Sequence, residues 1–336
     1  MSAWTQFIAV RRDDPWSNGS KSCVIVYMDL MSGVLRGPRA EEAFLLRIVM
    51  SAPWSIDIRD EAPLTVAAIM RGEAYLHGSG EPELLVPGDI ALIRGPDHYT
   101  MADTPNIGAP QVIIRPDQSC TTADGVSLQE PMSLGIRTWG NDGDGDTEIL
   151  VGTYPRTGEV SARLLNALPQ FVIARGGTGP VVDLLSAEMR RDAPGQDAML
   201  DRLLDLVLIS TLRDWFDSAG AATPAWYRAE ADPVAGRALR LMHNNPEFPW
   251  TVAGLAAECG VSRAAFARRF AEHVGEPPMT YLTNWRLALA ADLLADPGVT
   301  LESVARAVGY SDAFAFSSAF KRVRGVSPTR HRALLA

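Results

Sequence analysis

The sequence is poor in the residue types that build disulfide frameworks, metal clusters and membrane spans. Its 336 residues include three cysteines and five histidines, and no apolar run approaches the roughly 18–20 residues that a membrane helix needs. Three cysteines make no disulfide framework, which fits a reducing compartment. The first 30 residues contain Arg11, Arg12, Asp13 and Asp14 but no apolar core before a cleavage site. We therefore expect no signal peptide, no membrane partner and a cytoplasmic protein.

Basic residues are also scarce, and they are distributed unevenly. The chain carries 31 Lys and Arg against 40 Asp and Glu, a net charge of -9, and only Lys21 and Lys321 are lysines. Because polyanion binding needs a basic surface, this total argues against nucleic acid as a partner. Residues 233–336, however, hold 12 basic and 8 acidic side chains, a net charge of +4, which leaves -13 for the remainder. The two parts therefore need separate interpretations.

The N-terminal part has the pattern of a β domain. Short runs rich in Val, Ile and Leu recur about every ten residues through residues 24–158, with Gly and Pro between them. This spacing predicts a sandwich or a small barrel, and we assign residues 1–158 to it. Residues 159–218 change to helical periodicity, with apolar side chains at every third or fourth position from Met199 to Phe216.

The helical segment at 159–218 is apolar on more than one side, so it must be covered from more than one direction. It packs against the strand domain, against an upstream helix or against a second subunit, and the sequence leaves these alternatives open. Residues 219–235 contain Gly and two Pro residues and are predicted to be a linker.

The C-terminal hundred residues contain an internal repeat. Residues 251–262 (TVAGLAAECGVS) align with residues 300–311 (TLESVARAVGYS). In each copy a Thr is expected to cap one helix, a Gly to form a turn at positive φ, and a Ser to cap the next helix. These residues are Thr251 and Thr300, Gly260 and Gly309, and Ser262 and Ser311. The repeat predicts an all-α domain at 236–336 with helix-turn-helix units at about 251–275 and 300–325.

Two such units in one chain change how DNA would be read. A long helix near residues 279–295 is predicted to connect them. Two recognition helices held by one chain can enter successive major grooves, roughly 34 Å apart on one face of the DNA.

These motifs resemble the DNA-binding domain of the AraC/XylS family of bacterial transcription regulators. The resemblance covers residues 235–336 and rests on the segments 255–262, 285–294 (WRLALAADLL), 304–311, 316–322 (FSSAFKR) and 325–328 (GVSP). The first 200 residues resemble the cupin-like effector domain of one branch of that family, in residues 29–35, 52–54, 86–89 and 94–98. The implied fold class is α+β and multidomain: an N-terminal cupin-like β-barrel with following helices and a C-terminal double helix-turn-helix domain.

The resemblance also implies residues that contact DNA. The base-facing positions are Ala264, Ala267 and Arg268 on the first recognition helix, and Ala313, Phe314, Ser317 and Ser318 on the second. An arginine such as Arg268 can chelate a guanine edge, which discriminates by about 1–3 kcal/mol. Ser318 departs from the family, where Arg is frequent, so DNA shape is expected to contribute more there. Phosphate contacts are expected from Arg263, Arg269, Arg286, Lys321, Arg322 and Arg324.

A regulator of this family implies further partners and a ligand. We expect promoter DNA, a small-molecule effector, RNA polymerase and a second copy of the chain as partners, and no cofactor. The effector pocket is assigned to Trp54, Tyr75, His98 and Tyr99, although aromatic residues fit a plain core equally well. The strand domain has no His pair at metal-ligand spacing, so no metal is expected.

Besides a protein-binding adaptor that uses the helices at 159–218, two alternatives remain. The first is a redox-sensing regulator that uses Cys23 and Cys120, with Lys21 and Arg115 as nearby cations that would activate a thiol. The second is a cupin-type enzyme. The chain contains no Gly-x-Ser-x-Gly, no His-Glu-x-x-His and no Walker loop, and we therefore predict that it is not an enzyme.

Overall fold

Residues 43–155, 162, 165–177, 179–218, 223 and 225–335 are described in a computed structural model of the chain. The N-terminal part of these residues is built from strands, as predicted. The strands are β1 (Phe44–Met50), β2 (Ser55–Ile58), β3 (Leu64–Arg71), β4 (Ala74–His77), β5 (Glu83–Leu85), β6 (Ile90–Arg94), β7 (Tyr99–Ala102), β8 (Val112–Ile114), β9 (Cys120–Thr121), β10 (Ser133–Gly135), β11 (Thr138–Gly140), β12 (Thr147–Tyr154) and β13 (Phe171–Ala174).

The strands form two sheets that enclose an apolar core. One sheet has seven strands in the order β10-β11-β1-β12-β3-β6-β13, and the other has six in the order β5-β4-β7-β2-β8-β9. Side chains alternate between the two faces of each strand. In β6, Ala91 and Ile93 belong to the core that includes residues of both sheets, whereas Ile90 and Leu92 face the helices. The seven-stranded sheet is therefore covered on both faces.

Helices follow the sheets to the end of the described chain. They are α1 (Pro180–Met189), α2 (Gln196–Ser218), α3 (Ala225–Glu230), α4 (Ala235–Asn244), α5 (Val252–Glu258), α6 (Arg263–Val274), α7 (Pro278–Leu294), α8 (Leu301–Ala307), α9 (Ala313–Arg324) and α10 (Pro328–Leu335). Among the described residues, no helix is both long and apolar enough to cross a membrane.

Helix α2 packs on the seven-stranded sheet, which is one of the alternatives that the sequence left open. Leu204 is fully buried, and Gly152 of β12 lies under it so closely that a Cβ there would come within 2.4 Å of Leu204 Cδ1. The hydroxyl of Tyr154 also donates to Asp205 Oδ1 at 3.3 Å. Met199 and Leu206 remain 39% and 50% exposed, so the sheet does not cover the whole apolar surface of the helix.

The prediction of a helical segment over 159–218 is wrong for residues 171–174. They form β13, which extends the seven-stranded sheet by pairing antiparallel with β6, with Phe171 opposite Ile93. Four residues that alternate between half-buried and buried positions carry the period of a strand. The run is too short to interrupt the helical pattern read over a longer window.

The predicted linker at 219–235 is also partly structured. Helix α3 lies within it, and the Tyr227 ring stacks on Phe216 of α2 with the ring centroids 4.2 Å apart. Val234 and Ala235 are buried. Pro233 lies between α3 and α4, and the Tyr227 ring fixes α3 against α2.

The packing of α2 makes a direct prediction about stability. Leu204→Ala should lower the free energy of unfolding by about 2–5 kcal/mol, because it leaves a cavity against Gly152. Asp214→Ala, at an exposed position of the same helix, should cost less than about 0.5 kcal/mol. Urea denaturation of the two variants measures this difference, and equal losses would contradict the packing described here.

Candidate nucleic-acid interface

The first helix-turn-helix unit is capped as predicted. Thr251 Oγ1 accepts a hydrogen bond from the backbone N–H of Gly254 at 3.0 Å, at the start of α5. The turn passes through Gly260 at φ 70°, in the left-handed region that favours glycine. Ser262 Oγ accepts from the N–H of Ala265 at 3.3 Å and begins the recognition helix α6.

The second unit repeats this design with one difference. Thr300 Oγ1 accepts from the N–H of Ser303 at 3.2 Å, and Gly309 has φ 80°. The cap predicted at Ser311 is wrong, because Asp312 Oδ1 accepts from the N–H of Ala315 at 2.7 Å and caps α9. A carboxylate suits a helix N-terminus because it meets free N–H groups and the positive end of the helix dipole. Ser311 instead donates to Asp312 Oδ2 at 2.9 Å.

A single helix joins the two units. The N-terminal half of α7 contributes to the core of the first unit, and its C-terminal half contributes to the core of the second. Tyr281, Leu282, Trp285 and Ala288 pack in the core that contains Phe266 and Phe270, and Leu287, Ala290, Ala291 and Leu294 pack with Phe316 and Phe320. Because α7 is part of both cores, it fixes the position of α6 relative to α9.

Arg286 on α7, which we predict to contact phosphate, reinforces this connection. Its Nε donates to the carbonyl of Pro246 at 2.6 Å and its Nη2 to that of Phe248 at 2.7 Å. Burial lowers its pKa, although the nearby Tyr310 and Glu247 oppose that shift. The guanidinium therefore binds the segment before α5.

The turn of the second unit presses against the same segment. A Cβ on Gly309 would lie 2.7 Å from Arg286 Nη2 and 2.8 Å from the carbonyl oxygen of Glu247. Gly260 at the equivalent position of the first unit has no such neighbour within 4 Å. Glycine is thus required at 309 by close approach as well as by φ.

Arg269 on α6, which is also predicted to contact phosphate, is likewise engaged within the protein. Its Nε and Nη2 both donate to Oδ2 of Asp232, at 2.9 and 2.6 Å. Asp232 Oδ1 accepts from the N–H groups of Val234 and Ala235 at 3.0 and 2.8 Å, and His273 Nε2 lies 3.3 Å from Oδ2. Burial opposes ionisation of Asp232, but these hydrogen bonds and charges outweigh it and lower the pKa. This carboxylate ties the first recognition helix to α4.

Sequence reasoning missed Asp232 because it fell in the predicted linker. An Asp just before a helical segment is a recognisable capping signal, and Asp232 lies three residues before α4.

The predicted base-facing residues of α6 lie along its outer surface. Ala264 is exposed and Ala267 is half-buried. The side chain of Arg268 is 70% exposed and its Nη1 forms an ion pair with Glu272 Oε1 at 2.9 Å, one helical turn away. Glu272 therefore positions the guanidinium at the surface in the absence of DNA.

The base-facing residues predicted on α9 are of a different kind. Phe314 is 82% exposed, and Ser318 is exposed beside it. Ala313 and Ser317 are half-buried.

The remaining basic residues predicted to contact phosphate have different exposures. Arg263, Lys321 and Arg322 are exposed and Arg324 is half-buried. Arg306 on α8 was not identified from the sequence. Its side chain is 71% exposed and pairs with Glu302 at 3.4 Å, while Glu302 Oε2 accepts from the N–H of Ala313 at 3.2 Å. Glu302 thus links α8 to the start of α9.

The four residues predicted to line an effector pocket differ in burial. Trp54 and Tyr99 are buried in the core between the sheets, Tyr75 is half-buried, and His98 is exposed. Aromatic identity alone did not separate core from pocket. Within the described ranges, no three His, Cys, Asp or Glu side chains lie close enough together to hold a metal ion.

The structure describes one of the two cysteines on which the redox alternative depends. Cys23 lies outside the described residues. Cys120 is buried in β9, and burial raises the pKa of its thiol to about 11, which opposes thiolate formation at neutral pH. Cys259 is half-buried and donates to the carbonyl of Val234 at 3.4 Å, in agreement with a structural role.

Two capped helix-turn-helix units on one connecting helix, preceded by a two-sheet β domain, define a double helix-turn-helix DNA-binding protein. Comparison with known proteins agrees. A family model described as a helix-turn-helix domain matches residues 255–333, and one described as a cupin matches residues 29–217.

Full-length relatives identify the family. A putative AraC-like transcription regulator of Streptomyces lividans is 31% identical over 316 residues, which cover 91% of this chain and 98% of that protein. The HTH-type transcriptional regulator AlkR of Acinetobacter baylyi is 29% identical over 315 residues, 91% of this chain and 99% of that one. The chain therefore belongs to the family of AraC-like transcription regulators, with a cupin-like N-terminal domain.

A solved structure is similar to part of the chain. An AraC-type transcriptional regulator structure from Chromobacterium violaceum is 30% identical, covers 32% of this chain and 96% of that one, and has a TM-score of 0.30.

The close approach at Gly309 leads to a prediction with a matched control. Gly260→Ala should cost about 1–2 kcal/mol of unfolding free energy, from the positive φ alone. Gly309→Ala should cost about 2–5 kcal/mol, because crowding against Glu247 adds to the same strain. Denaturation of the full chain gives both values. If the two variants lose the same stability, the contact between the second unit and the 246–248 segment is not important.

Proposed function

We propose that the chain is a sequence-specific regulator that reads two successive major grooves with α6 and α9, under the control of a small-molecule effector bound by the β domain. The observation that supports it is the shared helix α7, which belongs to the cores of both units. Two recognition helices fixed in one chain match the repeat of B-DNA without a second subunit.

Base reading by α6 depends on Arg268 in this proposal. Its guanidinium is exposed and already held by Glu272, so little side-chain freedom is lost when it chelates a guanine. Ala264 and Ala267 are small enough to let the helix approach the bases. The carboxylate of Glu272 repels phosphate, which disfavours positions where Arg268 is not paired with a base edge.

Base reading by α9 is apolar. Phe314, at 82% exposure, is suited to contact a thymine methyl group and loses unfavourable hydration when it does. Ala313, Ser317 and Ser318 add small apolar and hydroxyl contacts. The nearby Lys321 and Arg322 are exposed and suited to phosphates, which position the helix but carry no sequence information.

The surface left open on α2 supports the proposal of a homodimer. Met199 and Leu206 are seven residues apart, on the same face of the helix, and both are substantially exposed. Leu184 of α1 is also 45% exposed. In this proposal the β domain and α1–α2 form the regulatory part, located in the cytoplasm, and RNA polymerase is the partner at the promoter. The protein acts without catalysis.

Arg268→Ala tests the base-reading role. Affinity for the cognate site should fall by about 1–3 kcal/mol, with relaxed preference at one base pair and little change on random DNA. Arg115→Ala removes the same charge from an exposed position in the β domain and serves as the control. Fluorescence anisotropy over a salt series measures both variants, and wild-type affinity should fall steeply with salt. Equal losses on cognate and random DNA would show that Arg268 contacts only the backbone.

A further inference from the structure

Arg94 is a half-buried cation with an unsatisfied donor. It ends β6, and its register partner is Leu64 of β3, so its side chain lies on the face of the sheet that packs against helices. Its Nε is buried and has no hydrogen-bond partner. A buried donor without an acceptor is costly, and more so when the group is charged. Because the Nε is enclosed, a ligand beside Arg94 would pair with the outer nitrogens of the guanidinium.

A cavity of about 210 Å³ lies beside this guanidinium. Pro63, Pro96 and Leu165 give it apolar walls, and Asn166 adds an amide. Its volume is below the roughly 300–1,000 Å³ of pockets for drug-sized ligands, so it fits a smaller molecule.

The walls are fixed by close packing of two turns. Gly95 follows Arg94, and a Cβ there would lie 1.9 Å from the carbonyl oxygen of Ala62. The N–H of Gly95 donates to the carbonyl of Pro63 at 3.1 Å. The cavity is therefore built from backbone segments held together by hydrogen bonding.

We propose that this cavity binds a small carboxylic acid, with Arg94 pairing the carboxylate and Pro63, Pro96 and Leu165 contacting its apolar body. Guanidinium and carboxylate groups match in geometry and form strong, charge-assisted hydrogen bonds. Glu61 also lines the cavity, but it is exposed, so water screens its charge. The proposal rests on the proposed function, in which the β domain holds the effector, and it names the chemical class of that effector.

The cavity is connected to the DNA-binding part by packing. Leu165 belongs to the same hydrophobic core as Leu204 of α2 and Phe266 of the first recognition helix. A ligand that contacts Leu165 therefore touches the core on which α6 rests. Binding there can favour one arrangement of α6 only if the ligand prefers that arrangement.

Calorimetric titration of the full chain with cyclohexanecarboxylate and with its neutral isostere cyclohexanecarboxamide tests the proposal. The acid should bind wild type at least about tenfold more tightly than the amide. Arg94→Gln should lose at least about tenfold in affinity for the acid and lose the preference over the amide. Arg115→Gln, an exposed arginine of the same domain, should bind as wild type does.

Equal binding of acid and amide by wild type overturns the proposal without any variant, and so does undetectable acid binding up to about 10 mM. Unchanged acid binding by Arg94→Gln also overturns it. Salt-dependent DNA affinity, measured on the same preparations with and without the acid, distinguishes failure of the cavity assignment from failure of effector control. DNA binding without acid binding removes only the cavity assignment, whereas acid binding that leaves DNA affinity unchanged removes effector control.

Discussion

The packing of α7 into two hydrophobic cores is the constraint on which the DNA-binding part depends. Each unit alone is a pair of short helices with a small core, and α5 and α8 have seven residues each. Such helices gain most of their stability from tertiary packing. By supplying apolar side chains to both cores, α7 stabilises each unit and at the same time sets the distance and rotation between α6 and α9. Arg286 adds a polar contact that fixes the same arrangement.

The two units are not attached to the rest of the molecule in the same way. The core of the first unit is continuous with the core beneath α2 and the seven-stranded sheet, whereas the second unit has a separate core. Asp232 adds a buried ionic contact between the first recognition helix and the start of α4. The packing that connects the β domain to α6 therefore runs through α2 and α3, and the connection to α9 continues through α7 and the segment held by Arg286.

Much of this organisation could be predicted from the sequence, because repeated motifs carry their own geometry. The threonine caps and turn glycines followed from the aligned repeat, and the change in charge located the DNA-binding part. What the sequence did not show depended on tertiary contacts. Arg286 and Arg269 have partners within the protein that are distant in sequence. Trp54 and Tyr99 are buried in the core between the two sheets. The strand at 171–174 was missed since its neighbour β6 lies about 80 residues away in sequence.

The central claim is that one chain presents two recognition helices at a fixed separation. Binding of the full chain to its cognate DNA, compared with the same DNA carrying five extra base pairs between the two half-sites, tests it most directly. Five base pairs rotate one half-site by about half a helical turn. Affinity is expected to fall to that of a single half-site, because α7 does not adjust. Unchanged affinity would contradict it and would show that the two units read DNA independently.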